Sequence, residues 1–117
     1  MNVLLFDLRA HGRSEGKIIS FGYLERQDVL GAVGFLHSRG IRRIGLLGFS
    51  LGGIVAMLSA AVCNDIAAVV TDGGPARMLT AMATRGAEWR IPRWLSEAGA
   101  RLTLTVTSLR LGANLFR

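Results

Sequence analysis

The sequence predicts an α/β fold with a parallel sheet, and three observations carry that expectation. Short continuous apolar runs alternate with longer segments of helical spacing, and glycine is concentrated in the turns between them. A parallel strand covered on both faces reads as an unbroken apolar run, whereas a half-exposed strand alternates. Fifteen glycines against two prolines in 117 residues fit a chain with many tight strand-to-helix turns. Half of the residues are apolar and 19% are charged, which suffices for one small core.

The elements follow in order. Val3–Phe6 is an apolar run of strand formers, ended by Asp7 and a glycine-containing turn at His11–Gly16. Tyr23–Ser38 places Leu24, Val29, Leu30, Val33 and Leu36 near helical spacing, and Gly40 closes that helix. Ile44–Phe49 is a second buried strand, and Ile54–Val62, apolar nearly all round, is expected to be a deeply buried helix. Ile66–Val70 is a third strand, ending at Thr71-Asp72-Gly73-Gly74-Pro75. Strand, helix, strand, helix, strand in this order argues for parallel pairing through crossovers.

Beyond that point Pro75–Ala87 reads as a helix through Met78, Leu79 and Met82. Leu102–Thr107 alternates with period two, which taken alone says strand. Arg93–Leu111 also admits a helical face through Trp94, Leu95, Ala98, Leu102 and Val106, with Pro92 suited to a helix start, and helix is the preferred reading. Nothing marks an internal boundary. One domain is expected over residues 1–117, with a core over 1–75 and a helical segment over 76–117.

The net charge is +6 and is carried by arginine, Lys17 being the only lysine. The arginines are spread along the chain, only Arg42 and Arg43 are adjacent, and no aromatic residue interleaves with that pair. Solvated faces account for such a pattern, and nucleic acid is not expected as a partner. Cys63 stands alone, so neither a disulfide framework nor a thiolate metal cluster is available; no metal or cofactor is expected. A reducing cytoplasm is compatible with this and is the expected location. Met1–Asp7 has no basic region and meets an acid too early for a signal peptide. The longest apolar stretch, Ile54–Cys63, is too short for a membrane span, so no integral span is expected. The oligomeric state is left open.

The chemistry concentrates at Gly48-Phe49-Ser50-Leu51-Gly52. A serine hydroxyl is a weak nucleophile and needs an exposed position, a base and donors for the developing oxyanion. A Gly-x-Ser-x-Gly turn between a strand and a helix supplies the exposure, and the glycines avoid clashes that side chains would cause there. Ser50 is then the nucleophile and the Leu51 N–H an oxyanion donor at the positive end of the new helix. The five residues alone are a weak signal; the apolar strand before them and the apolar helix after them strengthen it. The plainer alternative is a glycine-rich turn whose Ser50 merely caps the helix. A nucleotide-binding loop fares poorly, because Gly48–Gly53 matches neither Gly-x-Gly-x-x-Gly nor a P-loop.

Phe6-Asp7-Leu8-Arg9-Ala10-His11-Gly12-Arg13-Ser14 resembles the Asp-x-Arg-Gly-His-Gly-x-Ser signature after the fourth strand of α/β-hydrolases, with Ala10 in place of the usual glycine. Ile44–Gly53 resembles the fifth strand and nucleophile elbow of that family, and Val69–Asp72 the end of the sixth strand. The chain is thus similar to the central part of the fold, a partial α/β-hydrolase of parallel strands alternating with helices. Its flavour is similar to bacterial hydrolases of the prolyl-oligopeptidase and acyl-esterase branches, in which a helical segment follows the sixth strand; Arg90–Arg117 looks like that segment. The resemblance implies a serine hydrolase acting on a small-molecule acyl substrate, most simply a carboxylic ester, through an acyl-enzyme on Ser50.

The same resemblance implies gaps. The family's triad runs serine, acid, histidine, yet no histidine follows His37. His11 reads as a hydrogen-bonded loop residue and His37 as a helix C-terminal residue. The base is therefore expected from beyond residue 117. Asp72 is the one acid placed for the triad after the elbow, although a turn-forming role before Gly73-Gly74 is simpler. The family's third strand lies between the fourth and fifth and brings the second oxyanion donor. Its absence predicts that Val3–Phe6 and Ile44–Gly48 face a gap or pair abnormally, and that the isolated chain is poorly soluble. Trp89, Trp94 and Met82 are offered as pocket lining, with core packing as their commoner role. The alternative function is a non-catalytic remnant or binding protein that keeps the fold.

Overall fold

A computed structural model describes residues 2–74, 78–88 and 91–115. The described elements, in chain order, are α1 (Glu25–Ser38), β1 (Ile44–Phe49), α2 (Leu51–Ala60), β2 (Ile66–Asp72), α3 (Met78–Glu88) and α4 (Arg93–Leu111). The chain divides into two compact units, residues 1–74 and 75–117.

In the first unit β1 and β2 form a parallel pair, with Leu46 opposite Val69 and Phe49 opposite Asp72. The register shifts once, between Ile44 and Gly45. α2 is the connection between the two strands and packs on both, and α1 packs on α2. The apolar positions of this layer form the core: Val29 and Val33 of α1, Ile44 of β1, and Val55 and Ala56 of α2. Ser59 is also buried there, its hydroxyl donating to the Val55 carbonyl one turn back at 2.7 Å. That bond removes the cost of an unpaired buried hydroxyl.

Three expectations need correction. Val3–Phe6 does not form a strand, and Val3 and Leu5 are 70% and 87% exposed. A strand exists only by pairing, and the described sheet contains β1 and β2 alone, so this run has no ladder to join. The two observed strands are not buried on both faces either; Leu47, Phe49 and Val70 are more than half exposed. Continuous apolar runs anticipate helices on both sides of a sheet, whereas here the helix packed on both strands is α2. For the same reason α2 is buried through Gly53, Val55, Ala56 and Ser59, while Met57 and Leu58 keep 41% and 38% of their surface exposed. Large apolar side chains of both strands and of α2 are thus left exposed.

The second unit is a pair of packed helices, α3 and α4. α4 spans the whole of Arg93–Leu111, so the period-two run at Leu102–Thr107 is helical. The threonine hydroxyls explain how β-branched residues are accommodated: Thr103, Thr105 and Thr107 each donate to the carbonyl four residues back, at 2.8–2.9 Å. Gly112, at φ 61°, takes the left-handed conformation that stops the helix, and the Ala113 N–H returns to the Ser108 carbonyl. Ala100 and Leu104 are the buried face of α4, whereas Trp94 is 71% exposed and is not core. Met82 is half-buried on α3, and Trp89 lies outside the described residues. Among the described residues no helix is long and apolar enough to cross a membrane.

Candidate active site

The strand-to-helix junction is built by an unusual backbone at one residue. Ser50 has φ 50° and ψ −115°, between the last residue of β1 and the first of α2. A residue with a Cβ rarely adopts positive φ, and such strain persists only where the surroundings enforce it. Here the Ser50 N–H donates to the Asp72 carbonyl at 2.8 Å, continuing the parallel ladder one residue past β1. The Ser50 carbonyl accepts from the Gly53 and Ile54 N–H groups and so opens the helix. The residue is pinned from both sides.

The glycines around it are not equivalent. A Cβ on Gly48 would collide with the carbonyl of Gly52 and the nitrogen of Gly53, so no larger residue fits without moving backbone. A Cβ on Gly53 would lie 3.2 Å from the Thr71 Cβ and 3.3 Å from the Gly74 Cα, where α2 rests on the end of β2. A Cβ on Gly52 would meet nothing within 4 Å. The crowding thus belongs to Gly48 and Gly53, not to both glycines of the five-residue pattern.

The Ser50 side chain is exposed and makes no capping hydrogen bond to α2. This removes the plainer account of the residue as a helix cap. Leu51 occupies the first helical position, where an N–H precedes the helical ladder and points out of the helix's positive end. Asp72, also exposed, ends β2 directly beside it. Ser50, Leu51 and Asp72 are therefore gathered at the C-terminal end of the parallel pair, where open α/β sheets place their ligand crevices.

Neither histidine hydrogen-bonds Ser50 or Asp72 among the described residues. His11 Nδ1 lies 2.8 Å from the Arg9 carbonyl, which only accepts, so this nitrogen carries the proton. His37, in the last turn of α1, has Nδ1 3.8 Å from Asp65 Oδ2, and its Nε2 is buried without a described partner. No group of three His, Cys, Asp or Glu side chains suited to a metal converges among the described residues.

Two acids in the first turn of α1 organise the loops of this unit, and the sequence reading passed over both. Glu25, fully buried, accepts from the Ser20 N–H at 2.6 Å, the Ser20 hydroxyl at 2.5 Å and the Gly22 N–H at 2.8 Å. Burial alone would raise this carboxyl; the hydrogen bonds from Ser20 and Gly22 outweigh it and hold it below the usual glutamate range. The Ser20 hydroxyl accepts in turn from the Leu24 N–H at 2.6 Å. The knot holds Gly22, at φ 104°, so close to α2 that a Cβ there would crowd Ile54 and Leu58. The spacing of five from Ser20 to Glu25 falls outside the three-residue capping box, which is why the pattern gave no signal.

Asp28 binds the Arg9 guanidinium through Nε at 3.0 and 3.1 Å and Nη2 at 2.7 Å, and accepts from the Arg9 N–H at 3.0 Å. Burial pushes the Asp28 carboxyl up, and the hydrogen bonds from Arg9 bring it below its ordinary value. The hydrogen bond to Asp28 raises the Arg9 guanidinium in turn. A groove of about 510 Å³ opens beside this pair, lined by Phe6, Ser14 and Phe35 among others; neither Ser50 nor Asp72 lines it.

Comparison with known proteins agrees with this geometry. The model of the alpha/beta hydrolase family matches residues 2–117. The chain is 39% identical over 98 residues to "Uncharacterized protein YqkD" of Bacillus subtilis (strain 168), covering 80% of this chain and 32% of that protein. It thus spans about a third of the length of the curated relative it matches. No solved structure matches. With strands and helices alternating about the turn at Ser50, and with the family's model matching from residue 2 to residue 117, this chain belongs to the alpha/beta hydrolase family.

Proposed function

We propose that this chain carries the nucleophile elbow of a serine hydrolase that cleaves carboxylic esters or related acyl bonds. The observation that supports it best is Ser50 itself: exposed, at φ 50°, with no capping bond to spend its hydroxyl on. In the proposed reaction Ser50 Oγ attacks the acyl carbonyl and the Leu51 N–H donates to the developing oxyanion. Loss of the alcohol leaves an acyl-enzyme, and water then releases the acid. Asp72 is the candidate acid within residues 1–117, supported by its place on the strand beside the elbow. The general base is assigned to a histidine outside these residues, since His11 and His37 are engaged elsewhere. The prolyl-oligopeptidase and acyl-esterase branch remains the proposed subgroup, and the proposed organisation is one hydrolase domain in which residues 76–117 supply a helical segment.

A second reading, a non-catalytic binding protein that keeps the fold, draws on one observation: no described histidine reaches Ser50. Hydrolysis of short-chain acyl esters by the polypeptide of the whole reading frame that contains residues 1–117 separates the two. The hydrolase reading expects turnover that Ser50→Ala lowers by about a thousandfold or more. Turnover unchanged in that variant, or none in a folded wild-type protein, favours the binding protein.

A further inference from the structure

The basic charge of this chain is unevenly placed. Residues 75–117 hold seven arginines and no lysine, with Glu88 and Glu97 their only acids, so their net charge is +5. Residues 1–74 hold seven basic residues against six acids. Nearly all of the chain's excess charge therefore belongs to the unit that contains α3 and α4.

Within that unit α4 is apolar on two opposite faces. Ala100 and Leu104 are buried, and α3 packs against this helix. Leu95, Leu102, Val106 and Leu109 follow one another by seven, four and three residues, which confines them to a stripe roughly 60° wide at 3.6 residues per turn. These four are 48%, 66%, 42% and 78% exposed, and Trp94 stands beside them at 71%. Arg110 borders the stripe about 40° from Val106, while Arg101 lies about 80° beyond Leu109 on the other side, past Trp94, where it also lines the groove between α3 and α4 with Arg93 and Glu97. Arg93 pairs with Glu97 at 2.9 Å, which occupies the one acid of α4 and leaves Arg101 and Arg110 without an ion pair among the described residues. The threonine hydroxyls between them are turned back onto helix carbonyls, so they compete little for the surface.

We propose that this face of α4 docks on an anionic lipid bilayer. The helix lies in the plane of the interface, with Leu95, Leu102, Val106 and Leu109 at the acyl boundary, Trp94 at the headgroup level, and Arg101 and Arg110 on lipid phosphates. Charge complementarity selects this occupant. A second copy would bring two units of charge +5 face to face, which opposes association. Nucleic acid would leave the apolar stripe at the centre of the contact unpaired.

The test uses the polypeptide of the whole reading frame that contains residues 1–117, with every tryptophan other than Trp94 changed to phenylalanine so that Trp94 reports alone. It is mixed with vesicles of phosphatidylcholine, either pure or in equal parts with phosphatidylglycerol. Sedimentation with the mixed vesicles only, a blue shift of Trp94 emission and release by high salt are the expected results. Arg101→Gln and Arg110→Gln each weaken binding about fivefold. The paired change Leu102→Ser and Leu109→Ser, at exposed positions, abolishes the shift while helical circular dichroism is unchanged. Equal binding to neutral vesicles, no binding by a chain whose dichroism shows it folded, or binding that survives the leucine changes overturns the proposal. So does a Leu102- and Leu109-dependent dimer that ignores vesicles.

Discussion

At Ser50 the backbone takes φ 50° and ψ −115°, held between the Asp72 carbonyl behind it and the Gly53 and Ile54 N–H groups ahead. The strain is local and its support is sequence-specific. Gly48 has no room for a methyl group because the Gly52 carbonyl lies where it would go, while Gly52 faces open space. Gly48→Ala is therefore expected to cost at least about 2 kcal/mol, since backbone must move to relieve the clash. Gly52→Ala is expected to be neutral or to stabilise by up to about 1 kcal/mol, as glycine-to-alanine changes in a helix do. Urea midpoints of the two variants check this; equal losses would show that the junction is crowded on both sides. The five-residue motif was legible in the sequence, and so was its strand-and-helix setting. Which glycine is sterically required was not, because that depends on how the helix turns back over the strand end. Ala10, where the resemblance expects glycine, sits at φ 59°, which explains the family's preference and shows this chain accepting the strain.

At the scale of elements, the sequence was readable where periodicity and packing agree. α1, β1, β2 and α4 lie where their patterns place them, and α4 begins and ends at the predicted residues. Val3–Phe6 was misread because an apolar run reports what a strand would bury, not whether a partner strand is present to pair with it. The knot at the start of α1 was invisible for a different reason: it joins Ser20 and Glu25 through a turn whose shape depends on Gly22 at φ 104°. Glu25 and Asp28 both titrate below their ordinary values in the fold. A depressed carboxyl stabilises above its unfolded pKa, and that contribution is lost as pH falls through the folded value. Stability from these groups should hold from neutral pH down to about pH 4.5 and fall below about pH 4. Glu25→Gln offers one carbonyl oxygen where three donors converge, so it should cost about 2 kcal/mol at neutral pH and flatten the acid limb. Thermal melts across pH test both; an unchanged acid limb in this variant would place the titration elsewhere.

At the scale of the whole molecule, the described sheet has two strands, exposed apolar side chains on both of them, and a candidate nucleophile at its C-terminal end. Family membership follows from the match over residues 2–117, and the chain spans about a third of the length of the relative it matches. The proposed chemistry divides along that line. Presentation of Ser50 and of the Leu51 N–H belongs to this chain, whereas activation of the hydroxyl requires a base that the described histidines do not provide. The most direct measurement is therefore covalent labelling by a fluorophosphonate, read by intact mass and peptide mapping. Residues 1–117 alone should stay unlabelled, and the polypeptide of the whole reading frame should gain one adduct at Ser50 that Ser50→Ala removes. An adduct at Ser50 on the 117-residue chain by itself, or no adduct at Ser50 on the folded whole polypeptide, would contradict the account.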